Sequence, residues 1–311
     1  MDARMPRMRR DWVWWLRILG TVASLGLLVW LLARQDWEAF FGHARSLSPA
    51  ALALALALVL LGQLWNVGRW LCLLRGQEIG LGYFQAASYA FAGLFASNFL
   101  PSTIGGDVVR ILGAARAGPS RLSGAATVVM DRAISVFGML FLLPFSVPLL
   151  EGMIRGAGGL GEISLAATGA PADWLRRIRE RVRETLAPWM RRPRSLALSL
   201  AASWAGVLCY LLAVWMVARG LAIEVSLAQV AGVTGLTYLI TLIPISINGY
   251  GLREAGMLAL YVQLGATPEQ ASALALITRA LMMLVSLPGA AWLGKSMAGE
   301  AGGSGGVGGA A

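Results

Sequence analysis

Histidine occurs once in the 311 residues, at His43, and cysteine twice, at Cys72 and Cys209, both inside apolar runs. So few ligands leave no Cys/His metal site and no disulfide framework to build. Lysine is nearly missing as well: Lys295 is the sole example, so the formal charge of +10 rests almost wholly on arginine. Those arginines flank apolar runs instead of forming a basic groove with interleaved aromatics, which suits the anionic face of a bilayer and argues against a nucleic-acid partner. There is also no Walker loop, no Rossmann glycine pattern after a strand and no nucleophile elbow. These absences leave no catalytic residue, metal or cofactor to assign.

What is present is apolar. Hydrophobic side chains make up 57% of the chain and the mean hydropathy is +0.67, well above an ordinary soluble domain at roughly 45–50%. The chain reads as an all-α integral membrane protein, a single polytopic helical bundle over residues 1–311. Arg4, Arg7, Arg9, Arg10 and Arg17 precede a first apolar run to Ala33. That run is too long for a signal-peptide core, so it reads as a retained span with a cytoplasmic N-terminus. A second span begins at Pro49 and ends at Arg69 and Arg75, which return the chain to the cytoplasm.

An apolar helix over 83–100 is then interrupted by Pro101-Ser-Thr-Ile-Gly-Gly-Asp-Val-Val-Arg110. The short helix that follows, about twelve residues long, covers only about 18 Å of a roughly 30 Å hydrocarbon core. It is either a dipping half-helix or one half of a broken helix. A long apolar run from Leu122 to Leu150 follows, containing Asp131-Arg132. The interruption has an echo in Leu242-Ile-Pro-Ile-Ser-Ile-Asn-Gly-Tyr-Gly-Leu-Arg253. Without a gap, Pro101 matches Pro244, Ile104 matches Ile247, Gly106 matches Gly249 and Arg110 matches Arg253. Arg132-Ala133 and Arg279-Ala280 follow at similar intervals, once a four-residue loop difference is allowed.

Two repeats are therefore expected, over 83–150 and 227–293, separated by a linker over 151–194 and trailed by a Gly/Ala tail at 296–311 that should be disordered. The linker holds nine arginines against five acidic residues, and its helical periodicity gathers Trp174, Ile178, Val182 and Trp189 on one face, as in a helix lying on an anionic leaflet. If the first unit crosses twice, the linker is cytoplasmic and the repeats are inverted, as in many transporters. An odd number of crossings would make them parallel. Arginine counting favours inversion.

Broken helices survive at membrane depth only where they line a cavity or are covered by protein, because free backbone groups cost several kcal/mol each in hydrocarbon. Gly105-Gly106 with Asp107 as N-cap aims helix amides into the turn, one helical turn from Arg110, making a corner receptive to anions. Asn248-Gly249 and Arg253-Glu254 occupy the second turn. Ionisable residues inside spans usually face a bundle interior or an aqueous path. Asp107, Arg110, Asp131, Arg132, Arg253, Glu254 and Arg279 are the candidates here, either as headgroup ligands or as internal pairs and boundary residues. Asn98, Ser97, Ser102, Thr103 and Ser246 could line the same cavity or satisfy backbone carbonyls.

Asn98-Phe-Leu-Pro-Ser-Thr-Ile-Gly-Gly-Asp-Val-Val-Arg110, Asp131-Arg132, Asn248-Gly-Tyr-Gly-Leu-Arg-Glu254 and Arg279 together resemble the flippase-like membrane family, also called the lysylphosphatidylglycerol synthase transmembrane region. The resemblance covers roughly residues 10–295. It implies a multi-span protein of the bacterial inner membrane that moves a lipid or lipid-linked substrate between leaflets. Carried over by motif, the implied substrate-binding positions are Asn98, Gly105, Gly106, Asp107, Arg110, Asp131, Arg132, Arg253, Glu254 and Arg279, with Asn248 beside them. A soluble aminoacyl-transfer domain is not expected in this chain, so lipid synthesis is not implied. The leading expectation is a flippase in which the two broken-helix turns bound a central cavity and Arg110 and Arg253 engage an anionic headgroup, with membrane lipids and a lipid- or glycan-modifying enzyme encoded nearby as partners. Two other classes stay open: a membrane transferase acting on a polyprenyl phosphate or phospholipid with Asp107 or Asp131 as base, and a non-catalytic partner of a glycosyltransferase acting through residues 151–194.

Overall fold

The computed structural model describes residues 47–99, 105–156, 191–242 and 249–292, together with Trp189 and a few positions between 26 and 45. Nine α-helices are found among them: α1 (Pro49–Gly76), α2 (Tyr83–Phe99), α3 (Gly105–Ala117), α4 (Arg121–Leu140), α5 (Val147–Gly156), α6 (Pro193–Gly220), α7 (Leu227–Leu242), α8 (Leu252–Gln263) and α9 (Pro268–Ser286). Within the described residues four helical stretches are long and apolar enough to cross a membrane: Pro49–Gly76, Leu122–Leu140, Pro193–Gly220 and Pro268–Trp292. The expected first span, the amphipathic stretch up to residue 188, the turn residues Ser102, Thr103, Ser246 and Asn248, and the Gly/Ala tail all lie outside the described residues.

α1 and α6 form an antiparallel pair at the centre. Gly62 and Gly206 meet backbone to backbone, each lying about a methyl group from the other's carbonyl, the close approach that small residues permit between apolar helices. Leu47 packs on Gly220 at one end of the pair and Trp189 on Gly76 at the other. Trp189 is 1% exposed and donates from Nε1 to the Leu73 carbonyl at 3.0 Å. It is thus an anchor into the bundle and not part of an interfacial stripe.

The two interrupted stretches are both re-entrant hairpins. Gly93 lies against Gly106 and Tyr89 against Gly113, so α3 runs antiparallel to α2 and returns to the end from which α2 started, where Ile79 meets Gly118. Gly249 likewise lies on Thr241, and Gly256 on Thr237 and Ile240, so α8 folds back along α7. Of the two readings of the short helices, the dipping half-helix is therefore the one observed. The hairpins enter from opposite ends of the α1–α6 pair. α2–α3 has its open end beside Gly76, whereas α7–α8 has its open end beside the α6 C-terminus, where Gln270 at the start of α9 donates to the Leu221 carbonyl at 3.0 Å. Their tips meet: the Tyr250 hydroxyl donates to the Asn98 carbonyl at 2.6 Å.

Each hairpin is followed by a crossing helix, α4 and α9, and these run in opposite directions. The repeats are inverted, although the first unit makes a single crossing. Crossing number was therefore the wrong criterion. The expected apolar run from Leu122 to Leu150 also breaks: α4 stops at Leu140, and Pro144 opens a short 3-10 turn over Leu143–Ser146 before α5. That turn seats on α7, where Ser146 donates to the Gly232 carbonyl at 2.9 Å.

The tight crossing of α2 and α3 supports a direct test. A Cβ at Gly106 would lie 2.1 Å from Ser97 Oγ and 2.3 Å from the Gly93 carbonyl oxygen. The carbonyl cannot rotate away as a side chain can, so Gly106→Ala must part the hairpin. The overpacking penalty is typically about 1–3 kcal/mol. A drop in the melting temperature of the detergent-solubilised protein, together with faster proteolysis between α2 and α3, is the expected result; an unchanged melt would show that the two helices do not meet here.

Candidate functional site

A cavity of ≈ 170 Å³ lies between α1, the first hairpin and α4. Its polar wall is made of Gln63, Asn66 and Arg69 from α1, Ser97, Asp107 and Arg110 from the hairpin, and Asp131, Arg132 and Ser135 from α4. This is smaller than the roughly 300–1,000 Å³ of a drug-sized pocket.

Two ion-pair systems organise the wall. In the deeper one, Asp131, 2% exposed, accepts from Arg69 Nε at 2.7 Å on one oxygen and from Arg110 Nη2 at 2.8 Å on the other. Arg69 also donates from Nη1 to Ser203 Oγ at 3.3 Å. The Arg110 guanidinium stacks over the Trp70 ring at 4.4 Å, and Trp70 is itself fixed by a 3.3 Å bond from Nε1 to Thr127 Oγ1. Arg110 Nε is buried without a hydrogen-bond partner. In the outer system Arg132 reaches Asp107 through Nε at 3.2 Å and Nη2 at 2.9 Å. This forked pair is more open: the side chains are 57% and 24% exposed. Arg110 Nη1 stands 4.0 Å from the same Asp107 oxygen, linking the two.

Arg69 is the residue that sequence reasoning misplaced. It was read as the boundary where the second span leaves the membrane, but α1 continues to Gly76 and Arg69 is 8% exposed. The signal was available. Gln63, Asn66 and Arg69 recur every third residue in an otherwise apolar helix, which stacks them on one face toward a polar interior.

The second hairpin carries a separate cluster outside the cavity. Glu254, 4% exposed, accepts from Arg279 Nε at 2.7 Å and from the Gly251 backbone N–H at 2.8 Å, and Arg253 Nη1 lies 3.7 Å away. Arg279 stacks on the Tyr250 ring at 4.4 Å, and Arg253 donates to the Tyr210 hydroxyl. Gly251, at φ +76°, makes the turn into α8 in a backbone region that L side chains rarely adopt.

The gapless match of the two turns needs revising. Asp107 and Glu254 both occupy the third position of their short helices, α3 and α8, and each pairs with an arginine 25 residues further on, Arg132 and Arg279. Aligned by these acid–arginine pairs, the repeats need no loop difference, and Arg110 and Arg253 cease to be equivalent. Asp107 is not the N-cap, since α3 begins at Gly105. Of the expected site residues, Gly106, Asp107, Arg110, Asp131 and Arg132 converge on the cavity, with Gly105 as the first residue of α3. Asn98 joins the hairpin tips, while Arg253, Glu254 and Arg279 form the second cluster. Gln63, Asn66, Arg69 and Ser135 are additions. No group of three or more metal-ligating side chains occurs among the described residues.

Fold and site together define a multi-pass helical membrane protein in which two inverted re-entrant hairpins meet inside the bundle and a charged cavity lies beside the first. The chain belongs to the family described as the Lysylphosphatidylglycerol synthase TM region, whose model matches residues 17–289, which makes it a membrane protein related to lipid handling. No curated protein and no solved structure matches it.

Proposed function

We propose that the protein is a lipid transporter that moves an anionic phospholipid or lipid-linked substrate between leaflets. The observation that carries this reading is the cavity at the first hairpin, where three arginines face two carboxylates and one positive charge stays uncompensated. A phosphodiester monoanion balances that charge, and Arg110 Nε offers it an unused donor. Gln63, Asn66, Ser97 and Ser135 supply neutral hydrogen-bonding groups for the rest of a headgroup. Inverted hairpins that meet at their tips suit alternating exposure of one site to two faces.

The transferase reading is less well supported, because both candidate bases, Asp107 and Asp131, are held by arginines and neither is set to remove a proton. We place the protein in the bacterial inner membrane with the C-terminal end of α1 cytoplasmic. That end carries Arg75, Arg116, Arg191, Arg192 and Arg194 with Glu78, while the other carries Arg45 and Arg219 with Glu151, Glu224 and Glu269.

Proteoliposomes containing fluorescent phosphatidylglycerol test the transport reading. Membrane-impermeant dithionite should bleach the inner-leaflet pool faster than in protein-free vesicles, with the lipid mass unchanged. A bleaching rate equal to that of empty vesicles, or a lipid of altered mass, would overturn it.

A further inference from the structure

We infer that Asp107 is a built-in stand-in for the substrate's phosphate, holding Arg132 at the cavity mouth until an incoming anionic headgroup displaces it. The inference rests on the transport reading above and assigns the order in which the arginines of the site engage the lipid.

The two ion-pair systems differ in what they can exchange. Asp131 is shared by Arg69 and Arg110 from two other elements and is shut away from solvent. Opening it would strand buried charges, which makes it a fixed part of the wall. The Asp107–Arg132 pair has the opposite character. Arg132 is the most exposed charged side chain of the cavity wall, and its fork presents Nε and Nη2 to the two oxygens of one carboxylate. A phosphodiester offers the same two-oxygen geometry, so the two anions compete for one fork. Neither partner of this pair is closed off by protein as Asp131 is, so the exchange uncovers no buried charge.

The geometry gives the displaced carboxylate a place to go. Asp107 sits on the first turn of α3, where the helix amides stabilise negative charge without Arg132. Arg110 Nη1 already stands 4.0 Å from it. Asp107 thus moves from one arginine toward the other while the headgroup takes Arg132, and the reverse move expels the headgroup. Glu254 does not act this way on Arg279. It is 4% exposed and tied also to the Gly251 amide, so the second half keeps the pair without the exchange.

Binding of dihexanoyl phosphatidylglycerol to the purified full chain, by titration calorimetry with dihexanoyl phosphatidylcholine as control, provides the test. Asp107→Asn removes the competing charge and should bind the glycerol lipid roughly fivefold tighter than wild type, whereas its leaflet exchange slows because expulsion loses its driver. Arg132→Ala should bind more weakly, and adding Asp107→Asn to it should restore nothing. Asp107→Ser repeats the measurement with a second residue suited to a helix start if the asparagine variant does not fold. Wild-type binding without any gain in either Asp107 variant overturns the stand-in role and leaves the transport reading intact. Absence of binding in wild type and variants alike overturns both.

Discussion

Asp131→Ala should lower stability by about 3–5 kcal/mol, the usual cost of removing one partner from a buried ion pair. The reason for a loss at the upper end is that one carboxylate neutralises two guanidiniums, Arg69 at 2.7 Å and Arg110 at 2.8 Å, while being 2% exposed itself. Its removal leaves two like charges facing each other around a void in a site shielded from water. Asp131→Asn keeps the shape and two hydrogen-bonding atoms but not the charge, so its loss should be nearly as large. Thermal unfolding of the detergent-solubilised variants measures both. An alanine variant that melts with wild type would mean that Arg69 and Arg110 do not depend on this carboxylate.

Arg110→Ala should shift the balance the other way, inserting and costing far less stability than Asp131→Ala but losing lipid exchange at least a hundredfold. Asp131 retains Arg69 in that variant, so the buried carboxylate keeps one cation and the loss stays smaller than when both arginines lose their only acid. What disappears is the one guanidinium that joins both ion-pair systems, stacks on Trp70 at 4.4 Å and carries a buried donor without a partner. A loss of two decades in rate corresponds to about 2.7 kcal/mol of transition-state stabilisation, the size expected for a charge-assisted contact in a dry site. Arg110→Lys should recover only part of the rate, since an ammonium lacks the flat fork that stacks and bridges. Wild-type exchange in Arg110→Ala would remove Arg110 from the transport site. The contrast between Asp131 and Arg110 separates holding the wall together from handling the lipid.

Much of this architecture was legible in the chain. Membrane class followed from hydropathy and the position of each interruption from Pro and Gly-Gly or Asn-Gly inside apolar runs, whereas arginine counting favoured inversion only by way of two crossings of the first unit, where the structure has one. Gly106, Asp107, Arg110, Asp131 and Arg132 stand out in the sequence only as part of one set with Arg253, Glu254 and Arg279, because a charged residue in hydrocarbon needs a polar surrounding wherever it is; the structure divides that set between the first cavity and the second hairpin's cluster. The misplaced residues have a common cause. Arg69 looked like a boundary because hydropathy is blind to which side of a helix a charge takes, and 21 residues from the start of α1 is about where a span could end.

The sequence by itself determined that two apolar helices are interrupted by a polar turn and each followed by a short helix, because local hydropathy and helix-breaking residues act over a few neighbouring positions. Only the tertiary structure decided which acid meets which arginine. Identity in the turns matched Arg110 with Arg253, yet in space the repeats align through Asp107–Arg132 and Glu254–Arg279, each 25 residues apart. Ion pairing is set by where helices cross and how far each charge is desolvated, and the first hairpin alone lies against the polar face of α1. That packing makes one half of an inverted pair a charged cavity, while in the other half two arginines gather on Glu254.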